Sequence, residues 1–289
     1  MNEQVRLVPG QRRPVPPSVE ERLLRWGGRL FYLVALAGMV VFGSYILLRA
    51  SGATFKNFEQ WRPLLDGSPT LTVSDWVASI GIGMHFAMAA ILLFAWPILF
   101  SATIRARHRV VHRWTGRVYV SAGFLAGCGG LSFIFAHGAY TPSASSAFGI
   151  WGAVMMLSAV MAYVHARARR FDRHRAWVIR LFAVVLGSWL FDLEFRAWKD
   201  FTGGAGIGQG SASGLFDYAL LYLFFVPNLL VAEFFIRNKH KRLALSPAWR
   251  WPVLGGLATV AAVFIYAVVM VSATGTGKYG RHLLQFVTG

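Results

Sequence analysis

Seven long apolar runs dominate this chain, and they restrict its fold more than any other feature. They fall at about residues 27–48, 76–100, 118–137, 148–165, 176–198, 215–236 and 251–272. Each is close to the length that crosses a hydrocarbon core of roughly 30 Å at 1.5 Å rise per residue. In that core an unsatisfied backbone N–H or C=O costs several kcal/mol, so segments this long and apolar must be helices. The expected fold is therefore all-α: a polytopic membrane protein of seven transmembrane helices. Only 14% of the residues are charged, where a soluble domain carries about a quarter.

The charges that remain are asymmetric. Twenty-two of the 29 Lys and Arg residues fall before or at the start of the first run, between the second and third, around the start of the fifth, or between the sixth and seventh. All of these positions lie on one side of a seven-span chain. The positive-inside rule then sets the N-terminus in the cytoplasm and the C-terminus outside, and an odd number of spans requires opposite ends. This corresponds to a multi-pass protein of the bacterial inner membrane. The net charge of +17 does not read as nucleic-acid binding, because the basic residues sit in short juxtamembrane segments and form no basic domain or stripe. They suit anionic lipid headgroups instead, at about 1 kcal/mol per residue near the surface. Arg109, Arg113, Arg117, Arg173, Arg175 and Arg180 are the candidate lipid- or partner-binding residues.

The domain plan follows. Residues 1–26 form a basic, Pro-rich cytoplasmic tail expected to be disordered, apart from a short entry helix near its end. Residues 27–272 form the transmembrane domain, with a core bundle at about 76–236, and 273–289 form an outer tail. The first run follows a long polar tail and reads as an anchor, not a cleaved signal. The Gly- and Ser-rich stretch at 200–214 reads as a flexible outer loop. Its GAGIGQG segment has no preceding strand and is not a nucleotide loop. Pro227-Asn228 marks a kink in the sixth run. The single Cys128 forms no internal disulfide and reads as a small packing residue.

Two basic segments echo one another. His112-Arg113-Trp114-Thr115-Gly116-Arg117-Val118-Tyr119 enters the third run, and His174-Arg175-Ala176-Trp177-Val178-Ile179-Arg180 enters the fifth. Together with His85 in the second run, they resemble a bacterial family of predicted membrane proteins catalogued as domain of unknown function family 2306. The resemblance covers the second to sixth runs. It implies a multi-span inner-membrane protein and brings no activity with it.

Ionisable groups inside a span are the default functional leads. His85 lies about 13 Å from the outer end of its run at helical rise, and Asp192 lies at a comparable level in the fifth. With His137, Glu194 and Arg196 they make a candidate outer polar site. Asp192 and Arg196, four residues apart, also suit simple mutual neutralisation. His112 and His165, both near the inner boundary, are the candidate haem or metal ligands. A b-type haem needs two histidines at equal depth on facing helices, and His85 with His137 fails that test by about 10 Å. His108 and His112 have the i,i+4 spacing of a zinc pair, but they stand among arginines that disfavour a dication.

Three classes of function fit these residues. The first is an inner-membrane protein of unassigned activity, with the outer polar site and an arginine-rich inner face. The second is a b-type haem or quinone-linked redox protein. The third is an accessory subunit among other membrane subunits, without chemistry of its own.

Overall fold

The computed structural model describes residues 19–55, 76–137, 141–208, 213–238 and 265–266. Within them the chain forms eight helices and no strand. These are α1 (Val19–Phe55), α2 (Trp76–Phe100), α3 (Ala102–Arg107), α4 (Arg109–His137), α5 (Pro142–Arg167), α6 (Phe171–Thr202), α7 (Leu215–Leu223) and α8 (Val226–Asn238). Five segments are long and apolar enough to cross a membrane: α2, α4, α5, the first 21 residues of α6, and α7 with α8 together. The apolar stretch Tyr32–Ser44 lies within α1. The first eighteen residues, residues 56–75 and nearly all of the expected seventh run lie outside the described residues.

Chain neighbours are spatial neighbours. α2 packs between α1 and α4, α4 against α5, α5 against α6, and α6 against α8. Large apolar side chains face outward, among them Ile80, Val111, Leu157, Leu230 and Phe235. Water would penalise such a surface, whereas hydrocarbon tails match it. What faces inward is small where helices must approach. A Cβ on Gly129 would collide with the carbonyl of Gly81 and come within 2.8 Å of the His85 nitrogen, and a Cβ on Gly81 would lie 2.8 Å from the Gly129 carbonyl. The α2–α4 seam therefore needs glycine on both sides.

α4 and α6 begin earlier in the chain than the apolar runs suggest, because basic residues continue the helices. α4 starts at Arg109, nine residues before the third run, and α6 starts at Phe171. The α5–α6 link is only Ala168–Arg170. There Arg170 donates its N–H to the His165 carbonyl over 2.9 Å, and Arg169 takes a left-handed φ of 56°. Ser101 caps α3 by accepting from the Ile104 N–H at 3.3 Å.

Two expectations about the outer side and the sixth run meet definite structures. Around the Gly-rich stretch, Asp217 accepts from the N–H groups of Gly208 and Gly214, both at 2.9 Å, and Trp198 donates to the Ala205 carbonyl at 2.6 Å. Glycine supplies the positive φ at residues 203, 204 and 206, and a buried carboxylate organises the described part of the loop, so this part is folded rather than a free linker. The sixth run breaks at Phe224–Phe225, just before Pro227. Pro227 has no N–H to continue the ladder, and Phe225 seats on Gly187 of α6, where a Cβ would lie 2.9 Å from the phenylalanine Cβ.

Candidate functional site

His85 is half-buried between α2, α4 and α5. Its Nδ1 lies 2.8 Å from the Ala126 carbonyl, and as the only donor of that pair it carries the proton. Gly130 leaves room for the ring, since a Cβ there would lie 3.0 Å from the same Nδ1. The ring meets Trp151 edge-on at 5.8 Å between centroids, and Trp151 donates to the Val184 carbonyl of α6 at 3.1 Å. His85 thus ties three helices at one level, and its Nε2 remains the available lone pair.

The other expected outer-site residues stand elsewhere. Because Trp151 links His85 to the level of Val184, Glu194 lies ten residues further along α6, roughly 15 Å toward its Thr202 end. Glu194 instead lines an apolar groove of about 530 Å³ with Trp198, Phe216, Leu220, Phe224 and Pro227. Arg196 is exposed. His137 ends α4 with its ring 5.6 Å from that of Phe133. The Asp192 side chain lies outside the described residues.

At the basic end of the bundle three histidines act on one another electrostatically. His112 on α4 lies within electrostatic range of Arg105 and His174, and His165 on α5 within range of Arg173, Arg170 and His174. His174, on the first turn of α6, donates Nδ1–H to the Ala162 carbonyl of α5 over 2.8 Å. Thus His112 and His165, separated by 53 positions, share a neighbour that the residue spacing does not identify as part of a site. His108 is exposed rather than part of this group. Among the described residues no group of three or more His, Cys, Asp or Glu is arranged to hold a metal ion.

Tyr119 is the residue that sequence reasoning missed. In the sequence it only closes a motif, yet it is 0% exposed and its hydroxyl has no hydrogen-bond partner. The Nδ1 atoms of His112 and His165 are buried and without partners in the same way. The available signal is its spacing: residues 112 and 119 are two helical turns apart and share a face.

The surface around these histidines is basic. Arg105, Arg107, Arg109, Arg113, Arg117, Arg167, Arg169, Arg170, Arg173 and Arg175 are all exposed. Arg117 lies over the Trp114 ring at 4.8 Å, an arrangement suited to a membrane interface. Arg180 is different. It covers Trp177 at 4.6 Å and forms a two-pronged bond to Glu233 of α8, with Nη2–Oε2 2.7 Å and Nε–Oε2 3.1 Å. Glu233 also accepts from Arg237 at 2.8 Å. Arg180 therefore locks α6 to α8 and is not a free headgroup ligand.

No curated protein and no solved structure matches this chain. His85, the paired basic motifs and most of the stretch from α2 to α8 lie where one family matches, over residues 82–236. The chain belongs to the family described as predicted membrane protein (DUF2306).

Proposed function

We propose that this is a seven-span protein of the bacterial inner membrane, N-terminus inside, whose arginine-rich inner end binds anionic lipid headgroups. One observation carries this reading. Exposed arginines from α3, α4 and the α5–α6 turn surround a cluster of imidazoles, and one of them, Arg169, occupies a left-handed backbone position. A non-glycine residue there costs roughly 1–2 kcal/mol. That geometry closes α5, with Arg169 donating its N–H to the Ala166 carbonyl and Arg170 to the His165 carbonyl, and it gathers the exposed arginines of the turn beside those of α4. Each basic residue near an anionic leaflet adds about 1 kcal/mol of attraction, so five or six acting together retain lipid strongly.

His85 has a positioning role in this reading. It sets the spacing of α2, α4 and α5, and so the direction in which the inner ends of α4 and α5 emerge.

The test reconstitutes the full chain into nanodiscs of mixed phosphatidylglycerol and phosphatidylcholine and measures the lipid that remains after detergent extraction. Enrichment of phosphatidylglycerol is expected, reduced when Arg109, Arg113, Arg173 and Arg175 are changed to Gln together. Equal retention of the two lipids would refute the reading. Reporter fusions test the topology, with a periplasm-active reporter expected to work at the C-terminus and not at the N-terminus.

A further inference from the structure

We propose that the groove between α6 and α7, with Glu194 on its wall, binds a lipophilic organic cation; this site is separate from the arginine-rich face above. The groove holds about 530 Å³. Small-molecule sites span roughly 300–1,000 Å³ and are apolar with a few placed polar groups. Of the described residues lining this one, Glu194 alone ionises and Thr202 carries the one hydroxyl.

Both walls follow from helical spacing. Glu194, Ala197, Trp198 and Phe201 form one stripe of α6, at positions i, i+3, i+4 and i+7. α7 presents Phe216, Ala219, Leu220 and Leu223 at the same intervals. The Trp198 and Phe216 rings stack between the walls, parallel within 6° and 4.5 Å apart, and Trp198 donates to the Ala205 carbonyl at 2.6 Å. Further along, Phe224 meets Phe191 of α6 edge-on at 5.4 Å. Packed rings therefore join the two helices at both ends of the groove, and the cleft between them is held open.

The lining selects the ligand. Glu194 is half-buried, and no hydrogen bond or ion pair joins it to another described residue. Arg196 and Lys199, the nearest cations along α6, are exposed and lie about 200° and 140° around the helix from it. Thr202 cannot serve, since its hydroxyl donates to the Trp198 carbonyl at 2.7 Å and accepts from the Ala205 N–H at 3.1 Å. A carboxylate among apolar side chains is costly unless a cation meets it. An organic cation does so while its apolar body covers the groove, and the aromatic rings attract the same charge. An anion is repelled, and a plain acyl chain leaves the carboxylate unpaired. A metal ion needs more oxygen ligands than one carboxylate supplies. The rim is apolar as well, with Phe201 62% and Leu223 52% exposed, so the ligand enters from hydrocarbon and must itself be lipophilic.

The experiment uses the full chain in phosphatidylcholine nanodiscs and measures uptake of tetraphenylphosphonium by equilibrium dialysis, with uptake by empty nanodiscs subtracted. Tetraphenylborate, alike in shape and opposite in charge, is the control. The wild type is expected to bind the phosphonium saturably and to take up no borate beyond the empty nanodiscs. Glu194→Gln keeps the side-chain size and removes the charge, so it is expected to weaken binding about tenfold, the scale of one partly desolvated charge pair. Ala219 is exposed on the α7 wall, and Ala219→Trp is expected to abolish binding by filling the groove.

The proposal is overturned if the wild type shows no saturable uptake, or takes up both ions alike. It is overturned too if Glu194→Gln binds as the wild type does, which leaves an apolar groove without a cation site. Undiminished binding to Ala219→Trp would put the cation elsewhere and remove the site. A Glu194→Gln protein that melts well below the wild type without ligand would assign the carboxylate a structural partner and overturn the proposal as well. The phosphatidylglycerol preference is read in a separate experiment, so the inner-face reading stands or falls independently.

Discussion

Gly129→Ala tests whether the α2–α4 seam is set by backbone contact. The added Cβ would collide with the Gly81 carbonyl oxygen and lie 2.8 Å and 3.3 Å from the His85 nitrogen and Cα. All three neighbours are backbone atoms of α2, so no side chain can rotate away. Relief of these contacts requires α2 to withdraw from α4. Overpacking of this kind costs about 1–3 kcal/mol, and the withdrawal also stretches the 2.8 Å bond from His85 to Ala126, adding about 1 kcal/mol. Gly149→Ala is the internal control. A Cβ added there, in α5, would meet nothing within 4 Å, so helix propensity alone acts and favours alanine by up to about 1 kcal/mol. That propensity gain applies at Gly129 too and cancels, so thermal unfolding of the two variants in one detergent should separate them by about 2–4 kcal/mol, with Gly129→Ala the less stable. If Gly129→Ala melts with Gly149→Ala or above it, the seam is not a backbone contact and the positioning role of His85 fails with it.

The ion-pair lock between α6 and α8 predicts that Glu233→Gln destabilises by about 1–2 kcal/mol, because Arg180, with only 24% of its side chain exposed, loses its charge partner. Arg237→Gln should change stability by less than about 0.5 kcal/mol, since that side chain is 76% exposed; equal effects in urea or thermal titration would contradict the assignment. Arg169→Gly should raise stability by about 0.5–1 kcal/mol through relief of the left-handed strain, while lowering phosphatidylglycerol retention in nanodiscs. A loss of stability would show that the Arg169 side chain, not its backbone, holds the turn. Tyr119→Phe should melt at or above the wild type, because an unpartnered buried hydroxyl costs about 1–3 kcal/mol.

Much of the architecture is legible in the sequence because hydrocarbon permits so few backbone solutions. Apolar length locates α2, α4, α5, α6 and the α7–α8 pair, and Pro227 signals the break between α7 and α8, whereas the short α3 falls in a basic gap between runs. What apolar length does not register is where a helix stops in water. Arginine and threonine are adequate helix formers, so α4 and α6 continue into their basic segments, and α6 runs on to Thr202. The inner cluster is half legible. The depths of His112 and His165 match in the sequence, but the partners His174 and Tyr119 belong to motifs whose interfacial preference is a sufficient account by itself. Which face a residue presents to a neighbour depends on rotation about each helix, and an all-round apolar helix has no pattern that fixes it.

α4 joins these observations, since one helix carries both the glycine seam and the inner histidine–tyrosine face. Gly123 receives Leu181 of α6, Gly127 receives Met156 of α5, and Gly129 receives α2. A helix fixed against three neighbours through backbone-scale contacts cannot rotate or slide without breaking all of them. Tyr119, one turn from Gly123, lies on the helix that these contacts hold and is fully buried.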